Sequence, residues 1–331
     1  MPLMQNNQHI TVGLAQIAPV WLNRAATTTK IIQYIEKAAA QGCRLVCFGE
    51  TLLPGYPFWL DLTDGASFNS PRQKEIHAHY VDQAIRIDAG DLDEICHCAA
   101  RLKIAVMLGC AERPIERGGY SLYCSCVYIG PDGVIGSVHR KLMPTYEERL
   151  TWSPGDGHGL RTHALDGFRV GGLNCWENWM PLSRAALYAQ GEDLHVSIWP
   201  GNARNTEDIT RFVAKEGRCY SIAVSGLMRR EDFPLDTPHL DDILAHCPAI
   251  LANGGSCIAA PDGSWIIPPT VDVETLLVAT LDQKLVRQER QNFDVAGHYS
   301  RPDVTRLVVN RERQSLAQFN DGADNNATAN S

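Results

Sequence analysis

The sequence predicts an α/β protein, and three adjoining segments near its start carry that prediction. His9 to Gln16 alternates Ile10, Val12 and Leu14 with smaller residues, the period of a strand. Asn23 to Gln41 sets Ile31, Ile32, Ile35, Ala38 and Ala39 on one helical face, and Gly42 is placed to end that helix. Arg44 to Gly49 is a second apolar strand. Strand, helix, strand in that order is the unit from which layered α/β folds are built.

The remaining segments follow in order. Ser70 to Ile87 and Asp91 to Lys103 read as helices, and Ile104 to Cys110 as a strand. Leu122 to Ile129 and Val134 to Arg140 flank the turn signature Gly130-Pro131-Asp132-Gly133 and form a hairpin. A polar loop runs from Leu142 to Gly159, and a second hairpin turns about Asp166-Gly167, from Arg161 to Asn174. Leu182 to Gln190 is a helix, Leu194 to Trp199 a strand, Thr206 to Glu216 a helix and Tyr220 to Leu227 a strand. Arg229 to Gly255, rich in Asp, Pro and His, is expected to be a surface loop or lid with one short helix. Ser256 to Ala260 and Trp265 to Ile267 make another hairpin about Pro261-Asp262-Gly263. Leu276 to Leu281 is a strand, Gln283 to Arg290 a short helix, and Leu307 to Val309 a last short strand. Residues 1–310 are expected to be one domain and 311–331 a tail, disordered from Asn320, where apolar residues run out.

Composition narrows the function. A chain of 331 residues, 44% hydrophobic and 21% charged, can bury a large core. Its formal net charge of −8, with no Lys/Arg cluster, argues against a nucleic-acid partner. No apolar run approaches a membrane span. Met1 to Gln8 is polar, without a secretory signal, and the 11 cysteines are odd in number and scattered. Reduced thiols in a cytoplasm are the simplest account. Cys96-His97-Cys98 and Cys124-Ser125-Cys126 lack the two- to four-residue gap of a zinc knuckle, so core packing is expected and no metal. No glycine-rich phosphate loop follows the first strand.

Three residues share one topological address. Glu50, Lys141 and Cys175 each stand just past the C-terminal end of a predicted strand, the rim where α/β sheets bind ligands. Around the cysteine runs Leu173-Asn174-Cys175-Trp176-Glu177-Asn178-Trp179-Met180-Pro181, with Pro181 suited to begin a helix. A sulfur at such a turn is expected to be exposed, its pKa lowered by the helix start. A nucleophilic thiol needs a base, which a desolvated glutamate supplies. The anionic intermediate needs a positive donor, which a lysine supplies.

With these residues in view, the chain resembles the nitrilase superfamily of carbon–nitrogen hydrolases. The resemblance is carried by Phe48-Gly49-Glu50-Thr51 with Pro54-Gly55-Tyr56-Pro57, by His139-Arg140-Lys141-Leu142 with Pro144-Thr145 and Glu148-Arg149, and by Cys175-Trp176-Glu177-Asn178. Gly155-Asp156-Gly157 and Gly297 to Asp303 are similar to segments of the nitrilase branch. The resemblance implies a four-layer α-β-β-α sandwich in which two sheets pack face to face. It implies Glu50, Lys141 and Cys175 as the catalytic set, with Glu148 as a second glutamate beside them. It implies no metal or organic cofactor, a small-molecule nitrile as substrate, and a homodimer through the outer helices that can extend into a spiral filament.

Tyr56, Trp152, Trp176, Asn178, Trp179 and Trp199 lie within a few residues of the expected site and are candidates for the substrate pocket. Aromatic walls suit an aromatic or arylaliphatic nitrile. An amidase or carbamoyl-amide hydrolase of the same superfamily would use the same groups. A nitrile hydratase activity, stopping at the amide, can leak from such a site. Cyanide-consuming relatives are expected to carry histidine where Asn178 stands. From another class, a non-catalytic filament-forming scaffold would keep the sandwich without needing the three groups.

Overall fold

The computed structural model of the chain describes residues 8–317. The expected disorder from Asn320 lies outside the described residues. In chain order the strands are β1 (His9–Gln16), β2 (Leu45–Phe48), β3 (Ala105–Glu112), β4 (Tyr123–Ile129), β5 (Ile135–Arg140), β6 (His163–Leu165), β7 (Phe168–Asn174), β8 (Leu194–Trp199), β9 (Tyr220–Ser225), β10 (Leu227–Arg229), β11 (Ile250–Ala259), β12 (Trp265–Val271) and β13 (Thr275–Asp282). The helices are α1 (Arg24–Ala40), α2 (Trp59–Leu62), α3 (Pro71–Gln83), α4 (Asp93–Leu102), α5 (Pro181–Tyr188), α6 (Ala203–Gly217), α7 (Leu240–His246) and α8 (Gln283–Glu289).

The strands form two sheets. One has the order β13-β1-β2-β3-β4-β5, the other β10-β11-β9-β8-β7-β6 with β12 paired to β11. Each holds a parallel centre, β1-β2-β3 and β7-β8-β9, flanked by antiparallel strands. Alternation along each strand explains the layering. Val12, Leu14, Leu45, Cys47 and Met107 face inward and meet Phe168, Val170, Val196 and Ile222 of the other sheet. The residues between them, Val46, Phe48, Val106 and Leu108, face outward onto Ile31 and Ile35 of α1 and Ile95 and Ala99 of α4. Behind the second sheet, Ile209 and Val213 of α6 and Tyr188 of α5 pack with Trp199, Ala223 and Cys257. The result is the four-layer α-β-β-α sandwich.

Two expectations give way. The segment from Arg229 to Gly255 is not one open loop: β10 closes its start, α7 lies within it, and β11 begins at Ile250. Asn253-Gly254-Gly255 reads as loop, yet here it is strand. Gly254 and Gly255 take φ values of 88° and 100°, and a Cβ on Gly254 would stand 2.4 Å from Gln16 Cδ. The glycines admit the Gln16 side chain, whose Oε1 accepts from Ser256 N at 2.9 Å. Leu307 to Val309 forms no strand. Val309 instead packs on Leu160, Leu173, Ala186 and Leu187. The chain then crosses the Gly155–Gly159 loop, where Arg313 donates to Asp156 Oδ1 at 3.0 Å and Gln314 N to Asp156 Oδ2 at 2.9 Å.

Candidate active site

Three strand ends bring the expected residues together. Glu50 follows β2, Lys141 follows β5 and Cys175 follows β7, so two come from one sheet and the third from the other. The Glu50 N–H donates to Trp199 O at 3.1 Å, which ties the first sheet's rim to the second's. Lys141 Nζ donates to Glu50 Oε1 at 3.0 Å and to Glu148 Oε2 at 2.7 Å. One carboxylate oxygen each from Glu50 and Glu148 and the Cys175 sulfur all lie within 4.8 Å of one another. Such a donor set could hold a cation, but the Lys141 ammonium already bonds both carboxylates.

Local geometry explains each placement. Arg140, one residue before Lys141, is taken up by Glu112 through bonds of 2.8 and 2.7 Å. The alternation of β5 then delivers Lys141 to the other side. Glu148 is the third residue of a 3-10 turn from Tyr146 to Leu150, where it caps Thr145 N at 2.6 Å and accepts from Tyr56 OH at 2.9 Å. Arg149 donates to Pro144 O at 2.9 Å, and Glu148 is buried with Lys141 instead of pairing with it at the surface. Cys175 adopts φ 46°, a left-handed conformation uncommon for a residue with a Cβ. Asn178 Nδ2 holds that turn by donating to Cys175 O at 2.7 Å.

The electrostatics differ from the expectation of a helix-stabilised thiolate. Burial first, then the Glu50 carboxylate, push the Cys175 thiol well above its ordinary range, against Lys141 and the Trp176 N–H. The turn after Cys175 is a 3-10 turn, with α5 beginning only at Pro181, so no long helix dipole bears on the sulfur. The thiol is neutral at rest. Glu50 is raised to about 7, by burial first and by Glu148, with Lys141 opposing. Its Oε2 is buried without a hydrogen-bond partner among the described residues. Burial would lower Lys141, but Cys175, Glu50 and Glu148 together hold it well above the lysine range. A neutral thiol, a carboxyl poised near neutrality and a fixed ammonium therefore stand in one place.

Cys175 and Glu148 line a cavity of about 360 Å³. Tyr56, Phe58 and Trp176 form aromatic walls, and Pro248 to Ala252 close one side, from the segment expected to be a lid. The other pocket candidates separate. Trp152 is buried beneath, edge-on to Tyr56 at 5.6 Å and 5.9 Å from Lys141 Nζ. Trp199 is completely buried between the second sheet and α6, because β8 turns its ring away from the rim. Asn178 is buried under the Cys175 turn, its Oδ1 bonded by His195 at 2.7 Å and Ser197 at 2.8 Å. Trp179 is half-exposed and stacks on Phe212 at 6.3 Å, off the cavity. Of the six, Tyr56 and Trp176 touch the cavity.

Cys124, expected from the sequence to be ordinary core packing, stands beside the expected catalytic set. Its sulfur lies 3.4 Å from Glu50 Oε1 and 3.8 Å from Asn174 Oδ1. The period-two pattern of β4 could have found it, since Cys124 and Cys126 face one side and that side meets the second sheet's rim. The buried His139–Glu177 pair, at 3.0 Å, was also missed.

Comparison with known proteins follows the same lines. The family model described as carbon-nitrogen hydrolase matches residues 11–291. A protein named Nitrilase 2, from an unknown prokaryotic organism, is 38% identical over 315 residues, covering 95% of this chain and 96% of its own. A protein named Aliphatic nitrilase, from Sinorhizobium fredii (strain HH103), is 36% identical, covering 92% and 96%. The crystal structure of a carbon-nitrogen hydrolase from Helicobacter pylori G27 superposes with a TM-score of 0.66 at 18% identity, over 87% of this chain and 94% of that one, a likeness of fold. The match runs from β1 through α8 and spans all three strand ends, so this chain belongs to the carbon–nitrogen hydrolase family of the nitrilase superfamily.

Proposed function

We propose that the protein is a nitrilase, converting an organic nitrile and two waters into a carboxylic acid and ammonia. The observation that carries this reading is the Glu50 carboxylate with one oxygen within 4.8 Å of the Cys175 sulfur, Lys141 bonded to its Oε1 and its Oε2 left without a hydrogen-bond partner among the described residues. Relatives of high coverage named Nitrilase 2 and Aliphatic nitrilase support the reaction class.

The residues take these roles. Glu50 accepts the Cys175 proton as the sulfur attacks the nitrile carbon. The C–S bond forms, one C–N π pair moves to nitrogen, and nitrogen takes the proton, giving a thioimidate. Water adds to that carbon and gives its proton to Glu50. Lys141 and a backbone N–H near Trp176 stabilise the tetrahedral intermediate. Its nitrogen is protonated, the C–N bond breaks and ammonia leaves, with a thioester remaining. A second water, again deprotonated by Glu50, releases the acid and restores the thiol. Glu148 orients Lys141, and Tyr56 in turn fixes Glu148.

The aromatic walls support an aromatic or arylaliphatic nitrile. An aliphatic nitrile is the second reading, favoured by the relative named Aliphatic nitrilase. Residues 1–310 are taken as one domain. A homodimer is supported by an exposed aromatic pair, Trp179 in the turn after Cys175 and Phe212 of α6, which stack beside the outer helical layer. No helix among the described residues is long and apolar enough to cross a membrane.

The test is a panel of aliphatic, aromatic and arylacetic nitriles with their matched amides, scored for ammonia and acid. Nitriles are expected to react faster than amides. Cys175→Ala is expected to release no ammonia and to form no covalent adduct by mass spectrometry. Acid formation at the wild-type rate by that variant, or faster turnover of amides, would overturn the reading.

A further inference from the structure

One buried carboxylate has no part in the steps above. Glu177 is fully buried in the turn that follows Cys175. Its Oε1 accepts from Leu142 N at 2.6 Å, the main chain just after Lys141. Its Oε2 accepts from Asn174 N at 3.0 Å, the main chain just before Cys175. Lys141 extends β5 and Cys175 extends β7, which lie in different sheets. A single side chain thus ties the backbone beside the ammonium to the backbone beside the sulfur. The His139 ring, also buried, bonds the same carboxylate at 3.0 Å from within β5.

The bracket is built from charge. Burial by itself would raise Glu177, but the His139 ring and the N–H groups of Leu142 and Asn174 outweigh it and hold the carboxyl below the ordinary glutamate range. Hydrogen bonds to an ionised acceptor are about twice as strong as neutral ones. Neither Glu177 nor His139 lines the cavity, so their effect on substrate passes through the residues they hold.

We infer that Glu177, braced by His139, is a positioning residue that sets the separation of Lys141 from Cys175 and thereby governs whether the tetrahedral intermediate yields acid or amide. This rests on the nitrilase reading. The intermediate carbon bears sulfur, a hydroxyl and an amino group. On the acid route the nitrogen takes a proton and leaves with the C–N pair, while the hydroxyl proton passes to Glu50 and the carbonyl forms. On the amide route the C–S pair returns to sulfur while the hydroxyl proton passes to Glu50 and the carbonyl forms; the nitrogen stays, and the proton then goes from Glu50 to sulfur. An unprotonated amine is a far poorer leaving group than a thiolate. The acid route therefore depends on a donor held against the nitrogen, and the bonded Lys141–Glu50 pair is that donor. Displacing the pair from Cys175 slows ammonia loss more than thiolate loss.

Glu177→Gln in the full-length protein tests this, because its amide NH2 must face one of the two backbone N–H groups and open that side of the bracket. The expected result is a roughly 10- to 100-fold fall in kcat with KM nearly unchanged, and a several-fold rise in the amide fraction. Alkylation of Cys175 by iodoacetamide is expected to shift its midpoint to higher pH. Glu50, Lys141 and Glu148 face that sulfur, and among these charged groups Lys141 favours the thiolate, alongside the Trp176 N–H. The alkylation arm needs no nitrile. A wild-type protein that releases no ammonia from any nitrile would sink the nitrilase reading and leave this arm standing. A folded Glu177→Gln with unchanged amide fraction and unchanged alkylation profile overturns the inference, whatever its melting temperature. Should that variant fail to fold, His139→Gln keeps the carboxylate and loosens its brace. It is expected to shift both readouts in the same direction by less, and no shift overturns the inference equally.

Discussion

At the scale of single residues, Glu50 is the group whose environment matters most. Burial and Glu148 raise it, Lys141 lowers it, and the balance stands near 7. A base must be ionised to act, so kcat/KM is expected to rise with pH along a limb whose midpoint lies near 7. In Glu148→Gln a like charge is gone and Lys141 is left to Glu50, and both changes favour the ionised carboxylate. The midpoint is expected to move to lower pH, as a pH–rate profile would record. A wild-type limb centred in the ordinary glutamate range would exclude Glu50 as the base. The position of each charged group at a strand end was readable from the chain. The destination of the aromatic side chains was not: Trp199 and Tyr56 are both near the site in sequence, yet one is core and the other holds Glu148. Which way a ring turns depends on the packing of the opposite sheet, and no local pattern records that.

At the scale of elements, close backbone approach positions the site. Gly109 in β3 lies behind Glu50: a Cβ there would stand 2.2 Å from Gly49 O and 2.6 Å from Thr51 N. Both neighbours are main chain and cannot rotate aside. Gly109→Ala is expected to lose about 1–3 kcal/mol of stability in a denaturant titration. It is also expected to lower kcat by displacing Glu50, which a surface substitution of equal size would not do. The hairpin turns and the first strand–helix–strand unit were legible because turn chemistry and periodicity are local. The start of β11 was not, since Asn253-Gly254-Gly255 carries loop composition and becomes strand only because Gln16 of the other sheet fills the space above it.

At the scale of the whole molecule, the outer helical layer leaves large apolar surface exposed. Trp179 is 41% exposed and Phe212 46%, and the two stack at 6.3 Å, with the Arg184 guanidinium 5.2 Å from the Phe212 ring. Exposed aromatic patches of this kind mark interaction surfaces. If the proposed homodimer forms through this face, Trp179→Glu is expected to lower the mass read by light scattering while leaving the melting transition near the wild-type value. An unchanged mass would remove this face from the proposed dimer.

The chain by itself determined its α/β class, most of its strands and turns and the addresses of its reactive groups, because strand period, turn residues and strand-end charges are properties of short stretches; the four layers followed only from the family resemblance. Only the tertiary structure decided that Cys175 is a buried neutral thiol, that Glu177 clamps two sheets and that Trp199 is core. Those outcomes come from desolvation and from contacts between segments far apart in sequence, and neither exists until the two sheets have closed on each other.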